Sequence, residues 1–375
     1  MIKAKTIRDA RIDGVWWDGG RECVVSNAAI EVRSDIFVPL QDVDDTPFSP
    51  GLLRVDAPRD GVCRVGLFNG VGTGYGDTIA GSVAVRALYE TIEATGVEPR
   101  IELYPIAGKT SRYIDVFGLD PHVYSVQSCG VYVEDSPHYC ATTEGMIADK
   151  AFRQMDMVDY FLYRLGQKEW EGDKRPRVYL DPDLDAIVTD AIECVQGKTL
   201  LLNYFASGHR RLPIFIWEPL AKMFAADGWQ VLLNAGPEDL SILQTFYNEF
   251  FTDEPNIHYI ADLPANSFGH LMCLVNAVDA VVTPDTSIMH IAGALGKPCA
   301  AAFFSIEPEQ RITYYPTVKP WVADSFRRSE WWGRDKPPQG VDGRALDDEQ
   351  SWIEPWKRAD LRLWRARLDA AVRGD

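Results

Sequence analysis

The sequence predicts an α/β protein in which two doubly wound, Rossmann-like domains follow a small β-rich N-terminal region. A chain of 375 residues exceeds the size that one hydrophobic core normally serves, so two domains are expected. A strand, a glycine-rich turn and a helix open the first domain near residue 62. In the second half of the chain, short apolar runs alternate with helical patterns at least four times. This alternation predicts parallel sheets.

The composition is that of an ordinary soluble enzyme, with 46% hydrophobic and 25% charged residues. No stretch approaches the roughly 18 apolar residues that span a bilayer, and the first residues lack the apolar segment of a secretion signal. We therefore expect a cytoplasmic protein without a transmembrane segment. The seven cysteines are odd in number and form no Cys-x-x-Cys pair, which predicts reduced thiols.

The net charge of −17 argues against a nucleic-acid partner, because the overall field repels a polyanion. One basic run extends from Lys357 to Arg367, but its arginines alternate with apolar residues at helical spacing. This pattern favours a solvated helix face.

Residues 1–60 are predicted to form a β-rich appendage. Apolar and polar positions alternate in three short runs, 14–17, 21–25 and 29–32, and Asp18-Gly19-Gly20 is predicted to be a hairpin turn. The acidic run 42–45 resembles a metal-binding Asp-x-Asp element, but its Pro-rich surroundings favour a surface loop.

The first Rossmann-like domain is predicted over residues 61–170. A buried strand over 63–68 leads into a turn containing Gly72, Gly74 and Gly76, and a helix follows over 78–93. Glycines let the backbone approach a ligand closely. The turn has no Walker lysine, which argues against a nucleoside-triphosphate P-loop. A dinucleotide fold stays open, although Glu102 in the next strand is a weak match for the acidic partner of the ribose.

Asp77 is the candidate catalytic residue of this domain. Its carboxylate comes directly after the glycine turn, at the start of a helix that follows a parallel strand. At that position it could accept a proton from a hydroxyl group. The alternative is that Asp77 only caps the helix.

The remaining domain boundaries follow from composition. A helix is predicted over 147–165, and residues 171–198 are charged and Pro-rich, so we interpret them as a linker. The second Rossmann-like domain extends over 199–350 and includes a Trp-rich segment, 314–338. A C-terminal helix, within 351–375, is predicted to bury Trp356, Leu363 and Leu368 and to cross back to the first domain.

Two loops of the second domain carry candidate ligand-binding residues. Ser207, Arg210 and Arg211 follow the strand over 199–204, and a guanidinium group matches the geometry of a phosphate. Glu238 follows the strand over 229–234 and could accept hydrogen bonds from a ribose.

The stretch from 280 to 298 is predicted to form a strand, a turn, a helix and the start of another strand. Asp285, Thr286 and Ser287 are good N-cap residues, and Gly296 and Pro298 end the helix. A helix N-terminus at the carboxyl end of a parallel strand attracts an anion such as a diphosphate. Since a carboxylate would repel phosphate, Asp285 is predicted to face sugar hydroxyls, unless all three residues serve only as caps.

Together these motifs resemble the heptosyltransferase family of GT-B glycosyltransferases. The resemblance covers roughly 62–305 and rests on four elements. They are Gly-x-Gly-Asp at 74–77, Ser-Gly-x-Arg at 207–210, Gly-Pro-Glu at 236–238, and Pro-Asp-Thr-Ser-x-x-His with Gly-Lys-Pro at 284–298. It implies two facing Rossmann-like domains and a nucleotide-sugar donor, with ADP-heptose favoured, held by the second domain.

The resemblance also implies roles for individual residues. Asp77 matches the proposed base, Ser207 with Arg210 or Arg211 the phosphate loop, and Glu238 the ribose contact. Asp285, Thr286 and Ser287 match the sugar and diphosphate site, and His290 either contacts the donor or lies in the core. The family usually has Gly at the position of Ser287 and often has Thr or Lys in the phosphate loop. We recognise no family counterpart of residues 1–60 or of the Trp-rich segment after Ser305.

We therefore predict an inverting, metal-independent glycosyltransferase without a cofactor, acting on a glycan or protein hydroxyl. Arginines and the helix N-terminus would stabilise the departing diphosphate in place of a metal. An NAD-dependent oxidoreductase and a non-catalytic nucleotide-sugar binding protein remain alternatives at this stage.

Overall fold

The computed structural model describes residues 2–41, 53–54, 61–72, 74–132, 135, 137–143, 145–146, 149–206, 210–236, 239–260, 267–329, 332 and 349–375. The chain divides into two compact units, Met1–Tyr179 and Leu180–Asp375. The predicted acidic loop at 42–45 lies outside the described residues.

The first unit contains a β-rich N-terminal region, as predicted. Its strands are β1 (Ile2–Thr6), β2 (Ala10–Ile12), β3 (Val15–Trp17), β4 (Glu22–Val25) and β5 (Phe37–Gln41). Strands β4, β1 and β5 form an antiparallel sheet, which also recruits β10 (Gly130–Tyr132) from far along the chain. The appendage is therefore joined to the first unit by backbone pairing.

Two predictions for this region are wrong. The hairpin turn is Asp13-Gly14, between β2 and β3, because both residues have the positive φ that a two-residue turn requires, 48° and 85°. Asp18-Gly19-Gly20 instead links β3 to β4, which do not pair. The run 29–32 lies in helix α1 (Asn27–Val32), because the Ser26 side chain caps its N-terminus.

The main sheet of the first unit has the order β6-β11-β7-β8-β9 within the described residues. Its strands are β6 (Leu53–Arg54), β7 (Val62–Phe68), β8 (Glu98–Tyr104), β9 (Ser125–Val126) and β11 (Tyr139–Thr142). All neighbours are parallel except β6. Besides α1, the described residues of this unit form the helices α2 (Tyr75–Glu93), α3 (Thr110–Phe117) and α4 (Met157–Arg164). The single helix predicted over 147–165 is therefore shorter, and a 3-10 turn over Lys150–Arg153 precedes it.

The second unit contains one parallel sheet with the order β14-β13-β12-β15-β16-β17. Its strands are β12 (Lys198–Asn203), β13 (Trp229–Asn234), β14 (Ile257–Tyr259), β15 (Ala280–Pro284), β16 (Cys299–Ala302) and β17 (Val318–Trp321). In chain order this is 3-2-1-4-5-6, the arrangement of a doubly wound dinucleotide-binding fold. The α/β fold class with Rossmann-like parallel sheets is confirmed.

The helices of the second unit extend beyond the predicted domain limits. They are α5 (Pro182–Glu193), α6 (Trp217–Ala226), α7 (Leu240–Phe250), α8 (Phe268–Ala277), α9 (Ser287–Leu295), α10 (Glu309–Ile312), α11 (Asp324–Arg327), α12 (Glu349–Lys357) and α13 (Leu361–Arg373). Helix α5 occupies much of the segment predicted as a linker over 171–198. Asp181 caps it through the amides of Asp183 and Leu184, and Pro182 begins it, so the Asp-Pro-Asp sequence starts a helix.

The C-terminal segment 351–375 contains two helices instead of the single predicted one. Trp356 and Leu368 are buried as expected, but Leu363 is 58% exposed and the neighbouring Trp364 is fully buried. The Trp364 indole packs on Trp321 of β17 and donates a hydrogen bond to the carbonyl of Ala300, 3.2 Å away. Helix α13, predicted to cross back, thus packs on the sheet of the second unit.

The remaining global predictions concern membranes and thiols. Among the described residues, none of the helices has both the length and the apolar character needed to cross a bilayer. All seven cysteines are free, and six of them are buried.

Candidate donor and catalytic sites

The carboxyl edge of the second sheet has its switch point between β12 and β15. The chain leaves these adjacent parallel strands in opposite directions, and doubly wound folds bind ligands in the crevice that this divergence opens. Arg210 follows β12, and Asp285 and Thr286 follow β15. The topology therefore brings together residues that are 75 positions apart in the chain.

Arg210 and Asp285 form an ion pair at this point. The Arg210 guanidinium lies 3.2 Å from Oδ2 of Asp285, whose side chain is 5% exposed, whereas that of Arg210 is 33% exposed. Burial alone would raise the pKa of Asp285, but the positive charges of Arg210 and Arg311 outweigh it and hold the pKa below its ordinary value. Asp285 is therefore an ionised, buried carboxylate.

Buried polar side chains form a hydrogen-bond network at the same edge of the sheet. Asn203 ends β12 and donates a hydrogen bond to the hydroxyl of Thr283, 3.0 Å away. The Thr283 hydroxyl lies 3.1 Å from that of Thr286, and the Asn234 amide donates to Oδ1 of Asn203 at 3.4 Å. Since buried polar groups are costly unless they are bonded, this network fixes the ends of three neighbouring strands.

Helix α9 begins at this edge. Thr286 is its N-cap, and its hydroxyl accepts a hydrogen bond from the Ile288 amide at 3.3 Å. Ser287 is the first helical residue and is partly exposed. The first turn carries no acidic side chain, so the positive end of the helix dipole is not neutralised within it. The capping role that the sequence left open for Thr286 is real, and it is compatible with anion binding at the same helix end.

The two arginines of the preceding loop take different partners. Arg211 forms an ion pair with Asp239 at 3.0 Å, and its guanidinium lies 5.3 Å from the centre of the Phe205 ring. Arg210 contacts Asp285 instead. This difference distinguishes two residues that the sequence could not separate. Ser207 and Glu238, predicted for the phosphate and the ribose, lie outside the described residues.

His290 is buried one helical turn beyond Thr286. Its Nδ1 lies 3.0 Å from the hydroxyl of Tyr315. On the next turn, Gly293 packs so closely on Tyr315 that an added Cβ would lie 2.3 Å from the ring. His290 also contributes to the lowered pKa of Asp285 through its charge. These contacts give His290 a core position next to the candidate site.

Asp77 lies at the corresponding edge of the first unit, beyond the carboxyl end of β7. It is the third residue of α2, is partly exposed, and accepts a hydrogen bond from the Gly74 amide at 3.0 Å through Oδ2. Among the described residues, its Oδ1 has no hydrogen-bond partner. One carboxylate oxygen thus caps the helix, and the other is available for chemistry.

Steric constraints explain why the turn before α2 contains glycine. Gly72 adopts a φ of 95°, and a Cβ there would lie 2.4 Å from the Cβ of Asp77. Gly74 is the extended N-cap of α2, and Gly76 lies in its first turn. The Tyr113 hydroxyl donates a hydrogen bond to the carbonyl of Gly72 and lies 3.3 Å from the carbonyl of Asn69, so it holds the turn in place.

Sequence reasoning missed several residues near the donor edge. Arg311 was missed because its charge reaches Asp285 from α10, in a segment without a recognisable motif. Asn203 and Thr283 could have been found, because each is a polar residue at the end of an apolar strand. Among the described residues, no group of three or more His, Cys, Asp or Glu could hold a metal ion.

Known structures share this architecture. A glycosyl transferase family 9 protein from Veillonella parvula DSM 2008 has 13% identity and a TM-score of 0.54, with 84% of this chain and 99% of that chain covered. The iron-containing dodecameric glycosyltransferase TibC from enterotoxigenic E. coli H10407 has 12% identity and a TM-score of 0.50, covering 86% and 78%. ADP-heptose lps heptosyltransferase II of E. coli has 14% identity and a TM-score of 0.47, covering 83% and 98%.

The sequence comparisons agree with the shared fold. No curated protein sequence matches this chain significantly. Residues 163–321 match the model of glycosyltransferase family 9 (heptosyltransferase), a range that holds Arg210, Asp285, Thr286 and the whole of the second parallel sheet. The resemblance inferred from the motifs is confirmed, and the oxidoreductase alternative is set aside. Over residues 163–321 this chain is similar to glycosyltransferase family 9 (heptosyltransferase), and it is a glycosyltransferase with the GT-B type of fold.

Proposed function

We propose that the protein transfers a sugar, with heptose favoured, from a nucleoside-diphosphate donor to a hydroxyl group of a glycan or protein acceptor. The observation that supports this most strongly is the meeting of Arg210, Asp285 and the start of α9 at the switch point of the second sheet. The positive charge of Arg210 and of the helix start suits a diphosphate, and the carboxylate of Asp285 suits the hydroxyls of a sugar. The heptosyltransferase TibC, which has a similar fold, has been solved in complex with ADP-D-beta-D-heptose, and this favours ADP-heptose as donor.

In this proposal, the diphosphate binds to the N-terminus of α9 and to Arg210. Backbone amides at a helix start and a guanidinium group both donate hydrogen bonds to phosphate oxygens. The ionised Asp285 would accept hydrogen bonds from hydroxyls of the donor sugar, and its pairing with Arg210 would hold both side chains in position. Ser207, Arg211 and Glu238 remain proposed donor contacts, on the strength of the motif alone.

Asp77 would act as the general base. Its Oδ1 could accept the proton of the acceptor hydroxyl while that oxygen attacks the anomeric carbon, and the bond to the diphosphate breaks on the opposite side. A single direct displacement inverts the anomeric centre. Arg210 and the helix dipole would stabilise the charge that develops on the leaving diphosphate, so the proposed reaction needs neither a divalent metal nor another cofactor.

The function is tested with a panel of nucleotides and nucleotide sugars. We expect ADP and ADP-heptose to raise the melting temperature more than UDP or GDP and their sugars, because a ligand that binds only the folded state stabilises it. Arg210→Gln should reduce the rise in melting temperature that ADP and ADP-heptose produce. The reduction should be at least as large as in Arg211→Gln, because Arg210 is the arginine that contacts Asp285. Slow hydrolysis of ADP-heptose without an acceptor would report the chemical step. No response to any nucleotide in the panel would contradict the proposal.

A further inference from the structure

A pocket lies in the first unit, and none of the predicted catalytic and donor-binding residues lines it. Its volume is about 550 Å³, within the range of about 300–1,000 Å³ typical of small-molecule sites. Strands β3, β7, β8 and β10 and the residues on either side of β9 contribute to its walls. It is lined by Val15, Trp16, Trp17, Arg64, Arg100, Glu102, Tyr104, Tyr124, Gln127, Gly130, Val131, Tyr132 and Asp135.

The N-terminal region creates this pocket by covering one face of the first sheet. In the parallel register, Arg64 pairs with Arg100 and Phe68 with Tyr104, so alternate residues of β7 and β8 share that face. Val24 and Val131 of the N-terminal sheet pack against Phe68, Tyr104 and Cys140 at one end of the face. Elsewhere on the face, the arginines and Glu102 remain as pocket lining.

Two large aromatic side chains of the pocket are left open to solvent. Trp16 is 57% exposed and Tyr124 is 61% exposed, whereas the adjacent Trp17 is 2% exposed and belongs to the core. Each exposed ring is nevertheless held in place. The Trp16 indole donates a hydrogen bond to Asp18 at 3.0 Å, and the Arg100 guanidinium lies 5.0 Å from the centre of the Tyr124 ring. Oriented aromatic rings beside a cavity provide flat apolar surfaces for a ligand.

The polar groups of the pocket are equally well fixed. Arg64 binds Glu102 through two hydrogen bonds of 2.7 and 3.1 Å and also donates to the carbonyl of Asp135 at 3.0 Å. The Tyr104 hydroxyl donates to Glu102 at 2.6 Å. The lining contains two arginines and two carboxylates, so its formal charge is balanced.

This combination selects for one class of ligand. A polyanion would gain nothing from a balanced pocket on a chain of net charge −17, and a hydrocarbon would desolvate the charged groups without replacing their hydrogen bonds. A neutral sugar ring has C–H faces that stack on aromatic rings and a rim of hydroxyls that exchange hydrogen bonds with guanidinium, carboxylate and amide groups. Gln127 and Asp135 are placed in the lining to make such bonds.

We propose that this pocket is a binding site for a neutral oligosaccharide, in which Trp16 and Tyr124 stack on sugar rings. The site is additional to the donor site, and binding there does not require the transfer reaction. Its occupancy can therefore be measured whether or not the proposed function is correct.

The test uses the full chain and neutral trisaccharides as probes: maltotriose, cellotriose and mannotriose, with trigalacturonate as an anionic counterpart. Saturation-transfer NMR and calorimetry should detect at least one neutral trisaccharide, and it should bind more tightly than trigalacturonate. Trp16→Ala and Tyr124→Ala should each weaken that binding about tenfold, and Trp16→Phe should largely restore it, since Phe keeps a stacking face.

Leu119→Ala is the matched control, because Leu119 belongs to the same unit, is 53% exposed and lies outside the pocket. This variant should bind like the wild type, and all variants should keep the wild-type melting temperature because the changed residues are largely exposed. Binding of none of the neutral trisaccharides, binding that Trp16→Ala leaves intact, or tighter binding of trigalacturonate would overturn the proposal. If the protein binds a neutral trisaccharide but no nucleotide, the result would contradict the proposed donor site and leave the proposal for this pocket intact.

Discussion

At the scale of single residues, Asp77 combines a structural and a chemical role in one carboxylate. Oδ2 caps α2 by accepting the Gly74 amide, and Oδ1 is the atom proposed to take the acceptor proton. A change that removes only the charge can separate the two roles. Asparagine keeps an oxygen that can accept the Gly74 amide, whereas alanine does not.

We expect Asp77→Asn to lower the rate of sugar transfer by about 10²- to 10⁴-fold, the usual contribution of a general base, and to leave donor affinity and melting temperature close to wild type. Asp77→Ala should lose the same activity and, in addition, about 1 kcal/mol of unfolding free energy with the cap. Initial rates and urea denaturation measure the two effects. Full activity in Asp77→Asn would mean that Asp77 acts only as a cap.

Asp285 makes a prediction about pH. Its pKa is lower in the folded protein than the ordinary value of 3.8, so its ionised form stabilises the fold above that pH. This contribution is lost as the pH falls below 3.8 and through the folded-state pKa. Asp285→Asn cannot titrate, and it removes the negative charge that faces Arg210.

The difference in unfolding free energy between wild type and Asp285→Asn should therefore be largest near neutral pH, about 1–3 kcal/mol, and should shrink below pH 3.8. Urea denaturation of both proteins across this range measures it. A difference that stays constant down to pH 3 would contradict the lowered pKa of Asp285 in the folded protein.

At the scale of elements, the C-terminal helix shows how burial depends on helix phase. Trp364 is fully buried and Leu363 is mostly exposed, although both are apolar neighbours on α13. A helix advances about 100° per residue, so an apolar run alone does not identify which of two neighbours faces the sheet.

Trp364→Ala should destabilise the protein by about 3–5 kcal/mol, because it leaves a cavity against Trp321 and removes the hydrogen bond to Ala300. Leu363→Ala, one residue away, should change the unfolding free energy by less than about 0.5 kcal/mol. Denaturant midpoints give both values. Similar losses in the two variants would show that the phase of α13 differs from the one described.

At the scale of the whole molecule, the proposed chemistry relies on protein charges in place of a bound metal. Within the described part of the chain, no cluster of typical metal ligands occurs, and Arg210 and the start of α9 provide positive charge at the donor edge. We expect sugar transfer to be unchanged in excess chelator. Loss of activity that added manganese restores would count against this mechanism.

The sequence by itself determined the α/β class, the parallel strands and the family motifs. These features are local, because neighbouring residues determine the hydrophobic period, the glycine turns and the helix caps. The segments at 62–93 and 280–298 have the structures that their patterns predicted. Errors arose where a local pattern fitted two structures, as in the linker that contains α5 and the run that became α1.

Only the tertiary structure decided which distant side chains meet. The pairing of Arg210 with Asp285 and of Arg211 with Asp239, the approach of Arg311, and the joining of β10 to the N-terminal sheet all depend on strand order and on register. These contacts link residues far apart in the chain, and no local spacing encodes them. The pocket beside Trp16 arises in the same way, because it exists only once the N-terminal sheet packs on β7 and β8.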